Sequence, residues 1–369
     1  MHLDAKLVGT PVAELDTPVL CLELDVFQRN VAHMIHVCRQ QKISWRPHAK
    51  CHKSTWIGQQ LVAAGAIGLT CAKLSEAEVF AAAGISDLLI ANLIVGSQKL
   101  RRLAKLTEVA RPIVCVDHVR HIELLEQAMA MAGRTVRILI EVEIGMKRVG
   151  AEPQRVPELA RRIADSPHLE FAGLMAYEGH LLTIHDLATK ETAIRRSIGI
   201  AVECRDRLQE EGIVCGILSC AGTGSFPITS RIDGITELQA GGAIFMDAFY
   251  RQHCQIDALE FALTVLATVV GRPAKDRAIM DAGRKTLNSE ICLPWIAESS
   301  HDGTLRVLSL SAEHGTVHVG RNAELQIGDR LTLIPGYADL TVCLHNQIVA
   351  VRNGIVEGVL PLETRGHLT

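Results

Sequence analysis

The sequence of 369 residues has no apolar run of the roughly 18 to 20 residues that a membrane-crossing helix needs. Its opening, Met1-His2-Leu3-Asp4-Ala5-Lys6, has no apolar stretch of the secretory type, so the cytoplasm is the expected compartment. It has little excess charge: the net formal charge is −3, with no basic block and no aromatic-basic interleaving. That excludes nucleic acid as the main partner and leaves small molecules. No CxxC pair occurs among the 11 cysteines. An odd, scattered set reads as small buried hydrophobes in a reducing compartment rather than as disulfides or a zinc site. No internal repeat and no low-complexity linker breaks the chain. With 48% hydrophobic residues, a large core can form.

From Thr17 onward, short Val/Ile/Leu-rich runs alternate with longer amphipathic segments. The strand candidates are 19–24, 44–48, 68–72, 87–92, 113–117, 137–143, 170–177 and 217–221. Each is nearly continuously apolar, as parallel strands covered on both faces are. Between them, 26–40 has helical spacing with Asp25 placed to cap it, and 75–83 opens with Ser75 three residues before Glu78, in capping-box fashion. Segments 152–164 and 184–209 are further helices. Eight alternations in about 230 residues predict an α/β fold, a (β/α)8 TIM-type barrel over 17–247. A doubly wound open sheet is the alternative, but no GxGxxG follows the first strand. After Asp247 the runs shorten: 261–270, 277–281, 304–310, 330–334, 341–344 and 347–351 predict a C-terminal all-β domain over 248–369, joined by 1–16.

Barrels carry their chemistry at the C-terminal ends of the strands. There the sequence places His48-Ala49-Lys50, Cys71-Ala72-Lys73, Glu141 to Arg148, Ala176-Tyr177-Glu178-Gly179-His180 and Ala221-Gly222-Thr223-Gly224-Ser225. The backbone amides of Gly222-Thr223-Gly224 and Gly241-Gly242, with the Thr223 hydroxyl, suit a phosphate dianion.

This distribution resembles the alanine racemase type of pyridoxal-phosphate barrel and, within it, the D-threonine aldolase / D-serine dehydratase family. The resemblance spans Asp16-Thr17-Pro18 to Thr364-Arg365-Gly366, and its sharpest marker is Arg46-Pro47-His48-Ala49-Lys50-Cys51-His52-Lys53. Further matches are Thr236-Glu237-Leu238-Gln239, Asp281-Ala282-Gly283 and Glu313-His314-Gly315. The resemblance implies pyridoxal 5'-phosphate as cofactor, carried by Lys50 as a Schiff base. It implies Arg148 at the cofactor's phenolate oxygen and Tyr177 near the pyridine nitrogen, where a tyrosine supplies less positive charge than a paired aspartate would. His52 and His180 are the candidates for proton transfer. A homodimer is usual in such enzymes.

One departure stands out. Relatives of this type carry Pro-x-His-x-(Asp/Cys) near the C-terminus, whose histidine and acidic or thiol residue bind a divalent metal. Here the segment reads Pro335-Gly336-Tyr337-Ala338-Asp339. A phenol must lose a proton of pKa about 10 to ligate, and one carboxylate holds a divalent ion weakly. Asp339 alone remains as a metal ligand, which makes a tightly held metal doubtful and turns Tyr337 into a candidate acid/base. The resemblance implies retro-aldol cleavage of β-hydroxy-D-amino acids to glycine and an aldehyde. A D-serine or 3-hydroxyaspartate dehydratase, an amino-acid racemase and a non-enzymatic pyridoxal-phosphate carrier are the rivals; carriers of that kind lack the second domain.

Overall fold

A computed structural model describes residues 7–297, 304–321 and 323–369. The chain divides into two compact units: one takes in Met34–Lys50, Ile57–Gly241 and Gly366–Thr369, the other Met1–His33 (described from Leu7), Cys51–Trp56 and Gly242–Arg365.

Strand β1 (Val19–Glu23) and the start of α1 (Leu24–Gln41) belong to the second of these units. The first unit is built on eight parallel strands: β2 (Ser44–Trp45), β3 (Leu69–Cys71), β4 (Asp87–Leu93), β5 (Arg111–Val116), β6 (Val136–Glu141), β7 (Leu169–Met175), β8 (Ile217–Cys220) and β9 (Glu237–Leu238). Their order is β2-β9-β8-β7-β6-β5-β4-β3, and a parallel bridge between His48 and Thr70 joins the two ends of that path. Helices α2 (Thr55–Ala64), α3 (Leu74–Ala82), α4 (Ser97–Leu106), α5 (Val119–Ala132), α6 (Val156–Ala164), α7 (Leu187–Glu210) and the single turn α8 (Phe226–Thr229) connect them.

Both faces of these strands are covered, which explains their continuous apolar runs. Leu88, Ile90, Val114, Ile138, Ile140, Leu174 and Leu218 are completely buried on one side. On the other, Leu89, Ile113, Cys115, Leu139 and Met175 form one buried cluster, with Cys115 Sγ 3.7 Å from Met175 Sδ. Each such aliphatic side chain contributes about 1.5 to 3 kcal/mol by leaving water. The alternation that buries Leu89 and Leu139 places Asp87 and Arg137 two residues earlier on the same face. There they meet Arg46 and Glu237, so a polar layer closes the N-terminal end of the strands.

The second unit is a sheet of nine strands among the described residues, with β1 inside it. Its other members are β10 (Leu263–Ala274), β11 (Arg277–Met280), β12 (Trp295–Ile296), β13 (Leu305–Leu310), β14 (Gly315–Val319), β15 (Arg330–Ile334), β16 (Gln347–Arg352) and β17 (Ile355–Pro361). The main path is β13-β14-β11-β10-β1-β16-β17, and β15 pairs with β10 and β12. Leu15, Cys21, Val349, Val351 and Val356 form a core on β1, β16 and β17. Short helices α9 (Ala248–Gln252), α10 (Arg284–Leu287) and α11 (Ala338–Val342) complete it. Residues 7–16 lie in this unit: Gly9 N donates to Val356 O at 2.9 Å and Val12 N to Gly354 O at 2.8 Å.

Five expectations are corrected. Run 19–24 is not the first barrel strand: it pairs antiparallel with β10 and parallel with β16. A continuous apolar run fits any strand buried on both faces, so its composition did not say which sheet would take it. The division at 17–247 and 248–369 therefore moves, and 17–33 and 51–56 go to the β unit. The eighth barrel strand is β9, only two residues long inside Thr236-Glu237-Leu238-Gln239. Segment 341–344 overlaps α11 rather than forming a strand. Capping of α3 falls two residues earlier than Ser75/Glu78 implied: the Glu76 carboxylate accepts from the amides of Ala72 (2.7 Å) and Lys73 (3.0 Å), and Glu78 instead pairs with Arg102.

Candidate active site

Strand β2 is short, but its ladder continues. Arg46 N donates to Leu238 O at 2.9 Å, His48 N to Gln239 O at 3.0 Å, and Thr70 N to Pro47 O at 3.0 Å. The ladder ends there, and a single 3-10 turn, Ala49–Cys51, carries Lys50 half-buried just past the strand's C-terminal end. The Lys50 amide faces His48 Nδ1 at 3.4 Å. Gly241 lies against this segment so closely that a Cβ there would run into the His48 carbonyl oxygen.

Past β8, Ala221 takes φ +67°, a left-handed value that a residue with a Cβ adopts only under constraint. The turn Gly222–Ser225 follows, closed by Ser225 N and Phe226 N donating to Gly222 O at 3.2 and 3.1 Å. Within it Thr223 is 2% exposed, and its hydroxyl has no hydrogen-bond partner among the described residues. A buried unpaired hydroxyl is costly, so this one is set to take a ligand atom. The Tyr177 ring lies against the turn: a Cβ on Gly222 would stand 3.0 Å from Tyr177 Cε2 and 3.1 Å from its hydroxyl.

The Arg148 guanidinium sits 6.0 Å from the Tyr177 ring centroid, with Nη2 3.5 Å from Glu141 Oε1. Burial pushes the Glu141 carboxyl up, and Arg148 pulls it back. The segment 142–151 that bears Arg148 is pinned at both ends. Ser197 on α7 donates to Ile144 O at 2.5 Å, and Gly150 N donates to Asp117 Oδ2 at 2.9 Å. His180 is exposed, and its Nε2 would be 2.6 Å from a Cβ on Gly145. Tyr177, Arg148, Gly222, Thr223, Gly224, Gly241, His180 and the Lys50 segment thus all stand at the C-terminal ends of the barrel strands.

His52, Gly242, Tyr337 and Asp339 belong to the β unit. His52 is completely buried, and its Nδ1 accepts from the Ser54 amide at 3.2 Å. Burial, and then the Lys53 ammonium, hold the ring neutral down to about 3. An imidazole so placed serves packing better than proton transfer, in contrast to what the sequence suggested. Gly242 is buried and opens a 3-10 turn whose carbonyl accepts from Phe245 N at 3.1 Å.

Tyr337 caps α11, and its hydroxyl donates to Asp339 Oδ2 at 3.1 Å. The phenol is packed edge-on against Phe249 and Tyr250, with centroids 5.6 and 5.9 Å away. Asp247 stands behind it, accepting from the amides of Tyr250 (2.9 Å) and Ala338 (2.8 Å). Burial raises the Asp247 carboxyl to about 8, with the Asp339 charge adding to the rise. Burial thus favours the neutral form of Asp247 near pH 7, and Asp339 is the acceptor of the Tyr337 hydroxyl. The sequence pointed to Tyr337 and Asp339 but not to Asp247.

Residues 22–248 match the family model of the alanine racemase N-terminal domain. The chain belongs to that family. A second model, of a serine dehydratase domain, matches residues 262–351. Among curated relatives, the D-threonine aldolase of Arthrobacter sp. is 38% identical over 362 residues, 97% of this chain and 95% of the relative. The 3-hydroxy-D-aspartate aldolase of Paracoccus denitrificans (strain Pd 1222) is 34% identical over 370 residues, 98% and 95% of the two chains. Among solved structures, D-threonine aldolase from Filomicrobium marinum superposes with a TM-score of 0.94 at 34% identity, covering 98% of this chain and 99% of that one.

Membership makes pyridoxal 5'-phosphate the expected cofactor, and the residues present fit it. An unpaired Thr223 hydroxyl and a glycine turn that a Cβ would fill suit its phosphate. The sequence had singled out Lys50, Thr223 and Tyr177. It placed Glu178 at a strand end without a role and missed the pinning contacts from Ser197 and Asp117.

Proposed function

We propose that the protein is a pyridoxal-phosphate-dependent lyase that cleaves β-hydroxy-D-amino acids to glycine and an aldehyde, in the manner of a D-threonine aldolase. The observation that carries this reading is the unsatisfied Thr223 hydroxyl in the Gly222–Gly224 turn under Tyr177, in a chain 38% identical to a D-threonine aldolase along nearly its whole length. When bound, the cofactor supplies a sink for the electron pair left at Cα.

The protein's own residues do the rest. Lys50 would hold the cofactor's carbonyl carbon, Thr223 and the amides of 223–224 and 241–242 would hold its phosphate, Arg148 would face its phenolate oxygen and Tyr177 its ring. Tyr337 takes the β-hydroxyl proton while passing its own to Asp339, so no tightly held metal is required in this reading. As the Cα–Cβ bond breaks, the β-oxygen becomes the aldehyde carbonyl. A proton delivered at Cα by Lys50 completes glycine, and the exposed His180 exchanges protons with solvent. The reading includes a homodimer in the cytoplasm; nine of the eleven cysteines being buried thiols supports a reducing compartment.

The test is incubation with D-threonine, D-3-hydroxyaspartate, D-serine and D-alanine, with and without chelator. Glycine and aldehyde are the expected products. Pyruvate or 2-oxobutyrate would make it a dehydratase, and loss of optical rotation alone a racemase. Activity abolished by chelator and restored by Mn²⁺ would overturn the role given to Tyr337.

A further inference from the structure

Glu178 takes no part in the roles above, yet it is completely buried at the end of β7, between Tyr177 and Gly179. Its Oε1 accepts from the Thr229 hydroxyl at 2.6 Å, and Thr229 is itself buried. Its Oε2 is buried without a hydrogen bond of normal geometry among the described residues. Burial raises the carboxyl's pKa, and the neighbouring Thr229 and Ser225 hydroxyls and the Ala221 amide lower it again. These groups are the two ends of one stretch of chain. Ala221 opens the turn in its left-handed conformation; Ser225 closes it, its Oγ accepting from Gly222 N at 3.2 Å; Thr229 ends the helical turn that follows.

We propose that Glu178 is the positioning residue of the anion-binding turn: by holding Ala221 at positive φ and Thr229 in place, it aims the amides of 223–224 and the Thr223 hydroxyl at one phosphate group. The proposal rests on the reading of that turn as the cofactor's phosphate site. The physical reason lies in Ala221. A non-glycine residue relaxes out of the left-handed region unless its surroundings over-determine it, and the peptide that would rotate is the one leading into Gly222. Glu178 is the buried polar side chain that accepts from Thr229 on the far side of the turn and has Ala221 as a neighbour at its start.

A structural role alone would weaken folding without regard to the phosphate, so the measurement compares two ligands. The full-length apoprotein is titrated with pyridoxal phosphate and with pyridoxal, by absorbance, for the wild type, Glu178→Gln, Glu178→Met and each combined with Ala221→Gly. Glu178→Met keeps the volume but removes the acceptor; the preference for the phosphorylated ligand should fall about tenfold, the size of one lost buried hydrogen bond. Glu178→Gln, which still accepts from Thr229, should fold even if the Met variant does not, and should lose about threefold on the same scale. Adding Ala221→Gly should restore most of either loss, because glycine adopts the left-handed region without strain. Affinity for pyridoxal should stay constant throughout.

If the wild type binds both ligands equally, the phosphate reading itself is wrong. If the wild type discriminates and both Glu178 variants do so equally well, or if Ala221→Gly restores nothing, the role of Glu178 is overturned and the phosphate site stands.

Discussion

Arg46 and Glu237 form an ion pair at the closed end of the barrel, Nε to Oε1 at 3.0 Å, with each side chain 3% exposed. The same Arg46 reaches Asp87 Oδ1 at 2.6 Å through Nη1. Burial raises the Asp87 carboxyl, but Arg46 and Arg137 outweigh it and hold it below its ordinary value. Arg46 therefore stands four residues before Lys50 but at the opposite end of the barrel interior. The first residue of the run that marks the cofactor lysine is a structural one.

Removing one partner leaves a buried charge uncompensated. Glu237→Gln or Arg46→Met should each lower stability by about 3 to 5 kcal/mol, measured by chemical denaturation. The double variant Arg46→Met/Glu237→Leu should recover much of that loss, since Asp87 keeps Arg137 at 2.9 Å. A strictly additive double variant would show that the two do not act as a pair.

Tyr337→Phe keeps the packing on Phe249 and Tyr250 but removes the hydroxyl that Asp339 accepts from. Turnover of β-hydroxy-D-amino acids should fall about 10²- to 10⁴-fold with little change in KM. Tyr337→His sets an imidazole two residues before Asp339, and its residual activity should rise on adding Mn²⁺. Steady-state assays with and without metal check both.

His52 fixes a sign for acid stability. Its folded pKa of about 3 lies below the ordinary value of 6.5, so the unfolded chain binds the proton first as pH falls. The contribution is complete above 6.5 and is lost on acidification toward 3, at up to about 1.4 kcal/mol per pH unit. Denaturation between pH 6.5 and 4.5 should show that slope, and His52→Asn, which keeps an acceptor for the Ser54 amide, should flatten it by about one proton. Equal slopes in the two proteins would show that His52 does not carry it.

Gly241→Ala drives a Cβ into the backbone of His48, two residues before Lys50. The clash is with a carbonyl rather than a flexible side chain, so the strand end must move. We expect a loss of about 1 to 3 kcal/mol in stability. The visible absorbance of added pyridoxal phosphate should also weaken. A thermal melt and an absorbance spectrum of one preparation test both.

Much of this protein is legible in the residues themselves. Alternating apolar runs and amphipathic segments determined a (β/α)8 barrel with a β unit after it, because burial on both faces leaves a continuous apolar signature. Local chemistry pointed to Lys50, to the Gly222–Gly224 turn and to Tyr337 in place of a histidine. What only the tertiary structure decided was pairing. Nothing in 19–24 says that it joins β10 and β16 rather than the barrel, and a two-residue strand at Glu237–Leu238 carries too little pattern to read. Burial likewise decided between identical residue types. It favoured the neutral forms of His52 and Asp247, left His180 in water, and set Glu178 beneath the turn that Ala221 opens, since the pKa and the role of a side chain depend on neighbours that the order of residues does not name.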